Sequence, residues 1–169
     1  MDTSKKHVVI DLETLSTEPN ACIVSIGAVL IDNMEIVDTF YINVDAKSCK
    51  EAGLHIDPGT IKWWQEQTVE AREAWQKDPV DLQEALDKFV SWYGTQSFPA
   101  WGYGANFDIV ILESAMKAVN VDIPWKFWDI SCLRTLMNVL NKRLPKANNH
   151  NALDDATAEA KVLIEILRS

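Results

Sequence analysis

The order of strand-like and helical segments is the feature that most constrains how this chain folds. Three runs rich in Val, Ile, Phe and Tyr come first, at 7–11, 23–31 and 36–44, and these residue types favour β-strands. Residues 32–35 predict a hairpin turn between the second and third runs. Strand-like and helical segments then alternate to the end of the chain. An antiparallel meander followed by parallel crossovers predicts an α/β fold, with a mixed five-stranded sheet and helices on both faces.

The second half of the chain contains the alternating segments. Apolar side chains recur at helical spacing from Val80 to Tyr93, which predicts an amphipathic helix. Residues 45–79 are irregular and predict short helices over one face of the sheet. The remaining expected elements are a strand at 97–102, a helix at 106–119, a strand at 125–129 and helices at 131–140 and 151–167. No linker or internal repeat divides the 169 residues, so we expect a single domain over 1–169.

Charge and hydropathy restrict the classes of function. The chain has 16 Lys and Arg against 25 Asp and Glu, a formal net charge of −9, which opposes tight, salt-driven binding to a long phosphate backbone. Any contact with nucleic acid should therefore be local. No apolar run approaches the roughly 20 residues that span a bilayer, and the first residues do not resemble a secretion signal, so we expect a cytoplasmic protein. Cys22, Cys49 and Cys132 lack the paired spacing of a zinc site or a disulfide framework and should be reduced thiols.

Two acids follow the first apolar run. Asp11 and Glu13 are two residues apart, and in a strand such residues project from the same face. Neighbouring carboxylates repel each other unless one binds a proton or a cation neutralises both. The pair is therefore either part of a cation site or a strand end at which both acids extend into water.

Further acids lie on predicted helices. Asp108 shares a helix face with apolar residues three, four, seven and eleven positions later, and a buried, unpaired carboxylate is strongly unfavourable. It needs a partner such as a cation, unless it is a helix-starting Asp that caps backbone N–H groups. On the last helix Asp154 lies in line with polar residues and Asp155 with an apolar row, so Asp155 is the acid expected to point inward.

His150 precedes the last helix, in a polar stretch where a loop can carry an imidazole to a reaction centre. A lone loop histidine is more often simply exposed. Lys142, Arg143 and Lys146 cluster just before it and are either a contact for a phosphate backbone or a solvated loop. Asp129 is expected to cap the following helix rather than to bind a metal.

Together these residues resemble the DEDDh branch of the ribonuclease-H-like 3′-5′ exonucleases, which includes proofreading subunits, ribonuclease T and oligoribonuclease. The three motifs occur in order: residues 11–14 (Asp-Leu-Glu-Thr) after a strand, 106–108 (Asn-Phe-Asp) at the start of a helix, and 150–155, in which His150 precedes Asp155 by five residues. Any one motif is weak, whereas three in order make chance agreement improbable. The short length and the Trp-rich middle segment resemble the small phage or prophage exonucleases and their mycobacterial exoribonuclease relatives.

The resemblance implies a ribonuclease-H-like fold and a two-metal 3′-5′ exonuclease that releases 5′-mononucleotides. Two divalent cations, Mg²⁺ or Mn²⁺, would be held by four carboxylates, and oxygen ligands suit these ions. His150 would be the general base that accepts the proton of the attacking water. The carboxylates implied as metal ligands and catalytic residues are Asp11, Glu13, Asp108 and Asp155.

Candidate substrate contacts lie near the motifs and in the Trp-rich segment. The resemblance implies that Thr14 and Leu15 contact the terminal nucleotide, Leu15 as an apolar wedge against the base, and Phe107 of the second motif is a further candidate. Several tryptophans are either platforms on which unpaired bases stack or core residues. These are Trp63, Trp64 and Trp101.

Stacking and a small basic cluster favour an unpaired 3′ end over a duplex. The phage-type resemblance favours single-stranded DNA as the substrate, with an exonuclease of short or single-stranded RNA as the alternative. The other hypotheses are a ribonuclease-H-type endonuclease and a catalytically silent domain that binds nucleic acid or a partner through its Trp-rich surface. Dimers are common in the superfamily, so a homodimer is left open.

Overall fold

A mixed five-stranded sheet forms the centre of the computed structural model, which describes residues 6–145 and 150–169. The strands are β1 (His7–Thr14), β2 (Ile23–Asp32), β3 (Glu35–Asn43), β4 (Ala100–Gly102) and β5 (Ile130–Cys132), in the order β3-β2-β1-β4-β5. β1, β2 and β3 form an antiparallel meander, whereas β4 is parallel to both β1 and β5. The predicted sheet is therefore confirmed, including the change from antiparallel to parallel pairing.

Within the described residues, seven α-helices connect and cover the strands. They are α1 (Ala46–Glu51), α2 (Pro58–Gln65), α3 (Val69–Ala74), α4 (Leu82–Tyr93), α5 (Asp108–Ala118), α6 (Leu133–Val139) and α7 (Ala152–Arg168). A 3-10 turn at Phe127–Asp129 precedes β5. In the part of the chain that the structure describes, no helix combines the length and the apolar character needed to cross a membrane.

The alternation of side chains along β1 divides the core into two clusters. Val8 and Ile10 belong to the cluster on one face of the sheet, with residues of α4 and α5. Val9 belongs to the cluster on the other face, with residues of α6 and α7. Because residues two apart in a strand point the same way, Asp11 and Glu13 share the face of Val9. Helices thus cover both faces, and α7 covers the face that carries the two acids.

A glycine in β2 allows α7 to approach the sheet closely. Gly27 pairs with Asp11 across the β1–β2 ladder. A Cβ atom added to Gly27 would lie 2.2 Å from the carbonyl carbon of Ala152 and 2.4 Å from the backbone nitrogen of Leu153, so any side chain would displace the first turn of α7. The side-chain oxygen of Asn151 caps this turn by accepting a hydrogen bond from the Leu153 N–H. The first acids of α7 are thereby held next to β1.

The predicted strand at 125–129 is wrong. Trp125 packs in the core against Phe89 and Tyr93 of α4, and the next residues turn, with the Asp129 N–H donating to the carbonyl oxygen of Lys126. Strand β5 therefore begins only at residue 130. The aromatic residues of this stretch have high strand propensity, but tertiary packing of Trp125 overrides it. The predicted strand at 97–102 is present but short, at 100–102.

The predicted capping role of Asp129 is also wrong. Its carboxylate accepts a hydrogen bond from the Ser97 hydroxyl, and β5 separates it from α6. The N-cap position of α6 is occupied by Cys132, and α6 has no side-chain capping hydrogen bond there. Of the basic residues expected before His150, Lys146 lies outside the described residues.

Candidate active site

Three acids from β1 and α7 converge in space. Asp11 and Glu13 point from β1 toward α7, and Asp155 lies in the first turns of that helix. One carboxylate oxygen from each of these three residues lies within 4.8 Å of the others. Asp154, the neighbour of Asp155, is exposed instead. The structure therefore brings together three of the four acids, close enough that their oxygens could hold a metal ion.

Asp108 lies beside these three acids. It is the first residue of α5 and is 3% exposed. Its Oδ1 atom accepts a hydrogen bond of 3.2 Å from the backbone N–H of Leu12, the residue between Asp11 and Glu13 in β1. This bond ties the start of α5 to the strand and directs the fourth carboxylate toward the other three.

Burial and mutual repulsion raise the pKa values of these acids. Burial raises the pKa of Glu13 to about 8, with further contributions from the charges of Asp155 and Asp108. Burial also raises the pKa of Asp108 to about 7, although the Leu12 N–H opposes this change. The pKa of Asp11 is raised well above its ordinary value by burial and then by the charge of Asp108. Without a cation the site retains protons at neutral pH, and a bound cation would replace them.

Glu159 is a fifth acid at this site, and the sequence analysis missed it. It is 3% exposed, its Oε2 atom has no hydrogen-bond partner, and burial followed by the charges of Asp108 and Asp155 raises its pKa to about 9. It follows Asp155 by four residues on α7, a spacing that puts both side chains on one helix face. That spacing was a signal in the sequence that could have identified it. We call the five acids Asp11, Glu13, Asp108, Asp155 and Glu159 the carboxylate cluster.

The ring of His150 packs against two tryptophans of α2. Its centre lies 4.9 Å from that of Trp63 and 6.2 Å from that of Trp64, with the rings nearly perpendicular in both pairs. His150 adopts a left-handed backbone conformation, with φ of +46°. The charge of His150 lowers the pKa of Asp155, partly offsetting the effect of burial. The imidazole is therefore within electrostatic reach of the carboxylate cluster.

A groove of about 370 Å³ begins at Glu13 and runs along α2. Four of the predicted substrate contacts line it: Thr14, Trp63, Trp64 and Phe107. Trp63 is 41% exposed, whereas Trp64 is 3% exposed and donates a hydrogen bond of 2.9 Å from Nε1 to the Thr14 carbonyl oxygen. Trp63 thus presents a ring surface to the groove, and Trp64 mainly forms its wall. We call it the Trp63 groove.

Two other expected substrate contacts lie elsewhere. Leu15 is buried in the cluster of core residues on the α4 and α5 side and does not line the Trp63 groove, so it presents no wedge to a base. Trp101 is buried in the opposite cluster and donates a hydrogen bond from Nε1 to His7 Nδ1. Of the two alternatives for Trp101, a stacking platform or a core residue, the structure shows the core residue, because β4 points this ring into the core.

Comparison with known proteins places these residues in a family. The family described as the 3′-5′ exoribonuclease Rv2179c-like domain matches residues 6–167. An exodeoxyribonuclease of Enterobacteria phage T4 is 27% identical, over 78% of this chain and 70% of the phage protein.

Solved structures show the same fold. The nuclease domain of 3′hExo, a DEDDh family member bound to rAMP, is similar with a TM-score of 0.66 and 16% identity, over 99% of this chain and 94% of that chain. E. coli exonuclease I in complex with a dT13 oligonucleotide has a TM-score of 0.70 and 15% identity, over 96% of this chain and 41% of that chain. Since the family match covers nearly the whole sequence, the chain belongs to the Rv2179c-like 3′-5′ exoribonuclease domain family and is a 3′-5′ exonuclease, with the fold of the DEDDh nuclease domain of 3′hExo.

Proposed function

We propose that this exonuclease removes 5′-mononucleotides one at a time from the 3′ end of single-stranded DNA. The observation that most supports this proposal is the position of the carboxylate cluster beside the Trp63 groove, with Glu13 belonging to both. The groove volume of about 370 Å³ lies within the range of small-molecule sites and suits one nucleoside. A groove of this size next to the acids favours a strand end over the middle of a strand.

Two divalent cations, Mg²⁺ or Mn²⁺, are proposed to be held by Asp11, Glu13, Asp108 and Asp155. The donor atoms are all oxygens, which these ions prefer. Burial raises the pKa of both Glu13 and Asp108, and the charges of Asp155 and Asp108 raise that of Glu13 further, so a bound cation would offset the burial of these carboxylates and the repulsion on Glu13. When bound, such ions lower the pKa of an attacking water and stabilise charge on the leaving 3′ oxygen.

His150 is proposed to be the general base that accepts the proton of the attacking water. In support, its imidazole ring contacts Trp63, which lines the Trp63 groove. The imidazolium that forms on proton transfer would be stabilised by the nearby Asp155 carboxylate; burial raises the pKa of Asp155, and the charge of His150 opposes that increase. The exposed face of Trp63 is proposed to stack on the terminal base, an interaction worth about 1–3 kcal/mol.

Single-stranded RNA is the second candidate substrate. The matching family is described as an exoribonuclease domain, and the similar 3′hExo domain is bound to rAMP. We favour DNA because the relative that aligns over 70% of its own length is named an exodeoxyribonuclease, and exonuclease I is similar in fold in its complex with dT13.

The test is digestion of matched DNA and RNA oligonucleotides labelled at the 5′ end, with Mg²⁺ or with EDTA, beside a circular single strand. We expect products that shorten by one nucleotide at a time, faster cleavage of DNA, an intact circle and no cleavage in EDTA. Faster cleavage of RNA would overturn the proposed sugar preference. Cleavage of the circle would show an endonuclease, and undiminished hydrolysis in EDTA would overturn the role of metal ions.

Neighbouring acids of α7 provide a matched pair of variants for the same assay. Asp155→Asn should abolish hydrolysis because it removes one oxygen ligand and its charge from the carboxylate cluster. Asp154→Asn changes an exposed carboxylate one residue away and should retain hydrolysis. Equal activity of the two variants would contradict the proposed ligand set.

A further inference from the structure

One arginine lies beside the carboxylate cluster without a part in the proposed mechanism. Arg134 is the second residue of α6, and its Nη2 atom donates a hydrogen bond of 2.8 Å to the carbonyl oxygen of Tyr103. Its guanidinium carbon lies 4.7 Å from the centre of the Tyr103 ring. Gly104, with φ of +107°, packs against the same guanidinium, since a Cβ atom there would lie 3.1 Å from Nη2. The side chain is exposed, yet backbone and ring contacts hold its charged end in place.

The sheet register places Arg134 level with the acids. β4 pairs in parallel with β1, so that Tyr103, just beyond the end of β4, lies level with Asp11. The charge of Arg134 reaches the site, because it lowers the pKa of both Asp108 and Glu159. In the described part of the chain no carboxylate lies within salt-bridge distance of this guanidinium. The cation is therefore close to the cluster without being neutralised by one of its members.

The carboxylate cluster separates two cavities. Glu13 and Trp63 line the Trp63 groove, whereas Asp11, Asp155 and Tyr103 line a second cavity that shares no lining residue with it. A strand whose last nucleoside occupies the groove has its scissile phosphate at the cluster. Under the proposed function the preceding nucleotide would lie on the other side of the cluster, that of the second cavity, where its phosphate would meet the carboxylates of Asp11 and Asp155 unless a cation is present.

We propose that Arg134 binds the phosphate on the 5′ side of the scissile phosphate and so positions the strand, an inference that rests on the proposed exonuclease function. The guanidinium presents a planar fork of N–H donors that matches phosphate oxygens. Tyr103 and Gly104 hold this fork in place before the substrate arrives, which reduces the entropy lost on binding. Arg134 thereby supplies a positive charge for a substrate phosphate beside the acids, in a chain whose formal net charge is −9.

The direct test uses two dinucleotides that differ only in a phosphate on the 5′ end, made in the sugar that the wild-type enzyme cleaves faster. In the phosphorylated dinucleotide this group is the phosphate on the 5′ side of the scissile bond. We expect the wild-type enzyme to prefer it about tenfold in kcat/KM, as for one charge-assisted hydrogen bond. Arg134→Gln, which retains a donor for the Tyr103 carbonyl oxygen, should reduce the preference to about twofold or less. Arg134→Lys should retain part of it.

Arg168→Gln is the matched control. Arg168 is also exposed and also donates from Nη2 to a backbone carbonyl oxygen, that of Met34 at 2.9 Å, but it lies at the far end of α7. It should keep the wild-type preference, and thermal unfolding should show that both variants fold. An unchanged preference in Arg134→Gln, no preference in the wild type, or an equal loss in Arg168→Gln would each overturn the proposal.

Salt dependence of binding provides a second measure that needs no cleavage. In metal-free protein, the logarithm of the affinity for a single-stranded oligonucleotide falls linearly with the logarithm of the salt concentration. In Arg134→Gln this slope should be less steep by about 0.7, the value expected for the loss of one phosphate contact. An unchanged slope would overturn the role of Arg134. A wild-type enzyme that hydrolyses no oligonucleotide would instead overturn the proposed function, so the two failures are distinguishable.

Discussion

Replacing Glu159 by Gln should stabilise the metal-free protein at neutral pH. Glu159 is buried among other acids, with one carboxylate oxygen lacking a hydrogen-bond partner. Burial and neighbouring negative charges raise its pKa in the folded protein to about 9, from the ordinary value of 4.5. Gln has nearly the same shape as a protonated Glu and remains neutral at every pH. The substitution therefore removes the free-energy cost of protonating this acid in the folded protein at neutral pH.

The sign and size follow from the two pKa values. The pKa of Glu159 is higher in the folded state than in the unfolded state, so the folded state binds more protons. The contribution of protonated Glu159 to the unfolding free energy is therefore fully present below pH 4.5 and is lost as pH rises toward 9. At pH 7 the difference of 2.5 pH units corresponds to about 3 kcal/mol. Neighbouring acids that are themselves protonated carry less negative charge and therefore raise the pKa of Glu159 less. We therefore expect Glu159→Gln to increase the unfolding free energy by about 2 kcal/mol, or Tm by about 4–8 °C.

The assay is thermal and urea unfolding in EDTA at several pH values. The gain in unfolding free energy should be under about 1 kcal/mol at pH 5 and should increase toward pH 8. Glu165→Gln, an exposed acid on the same helix, is the control and should change stability by less than about 0.5 kcal/mol at each pH. A Glu159→Gln gain that is independent of pH, or a loss of stability at pH 7, would refute the reasoning.

Three further predictions concern α7, the proposed general base and the proposed cations. Gly27→Ala should destabilise the protein by about 1–3 kcal/mol in urea unfolding, because its Cβ would overlap the backbone of Ala152; an unchanged midpoint would contradict the close approach of α7. His150→Ala should lower kcat by about 10²- to 10⁴-fold while calorimetry shows an unchanged affinity for Mn²⁺; unchanged turnover would exclude His150 from the chemistry. Mn²⁺ at about 100 times its Kd should increase the unfolding free energy by about 2.7 kcal/mol for each ion bound, and an equal increase in Asp155→Asn would show that the ions bind elsewhere.

The sheet was predictable because its strands carry local signals. The three N-terminal runs are rich in β-branched and aromatic residues, and the boundaries predicted for the second and third agree within one residue with β2 and β3. The first was predicted to end at residue 11, whereas β1 continues to Thr14 and includes both acids. Strands β4 and β5 have three residues each, too few for a periodic pattern. The stretch around Trp125 was misassigned because its aromatic residues serve packing against α4 rather than strand pairing.

Some side-chain positions were likewise predictable from local periodicity, and others were not. Strand period placed Asp11 and Glu13 on one face, and helix period identified Asp155 rather than Asp154 as the acid that points inward. Tryptophan, in contrast, suits both a core and a binding surface. Only the surroundings show that Trp63 is partly exposed beside a groove whereas Trp101 lies in the core.

By itself, the sequence determined the identity, order and local spacing of the acids, because the geometry of a strand or a helix sets the direction of side chains a few residues apart. Tertiary structure alone decided which distant groups meet. The contact of α7 with β1 across Gly27, the burial of Glu159 among other negative charges and the position of Arg134 over Tyr103 join residues from separate elements. Such distances depend on how the elements pack, and no local periodicity encodes them.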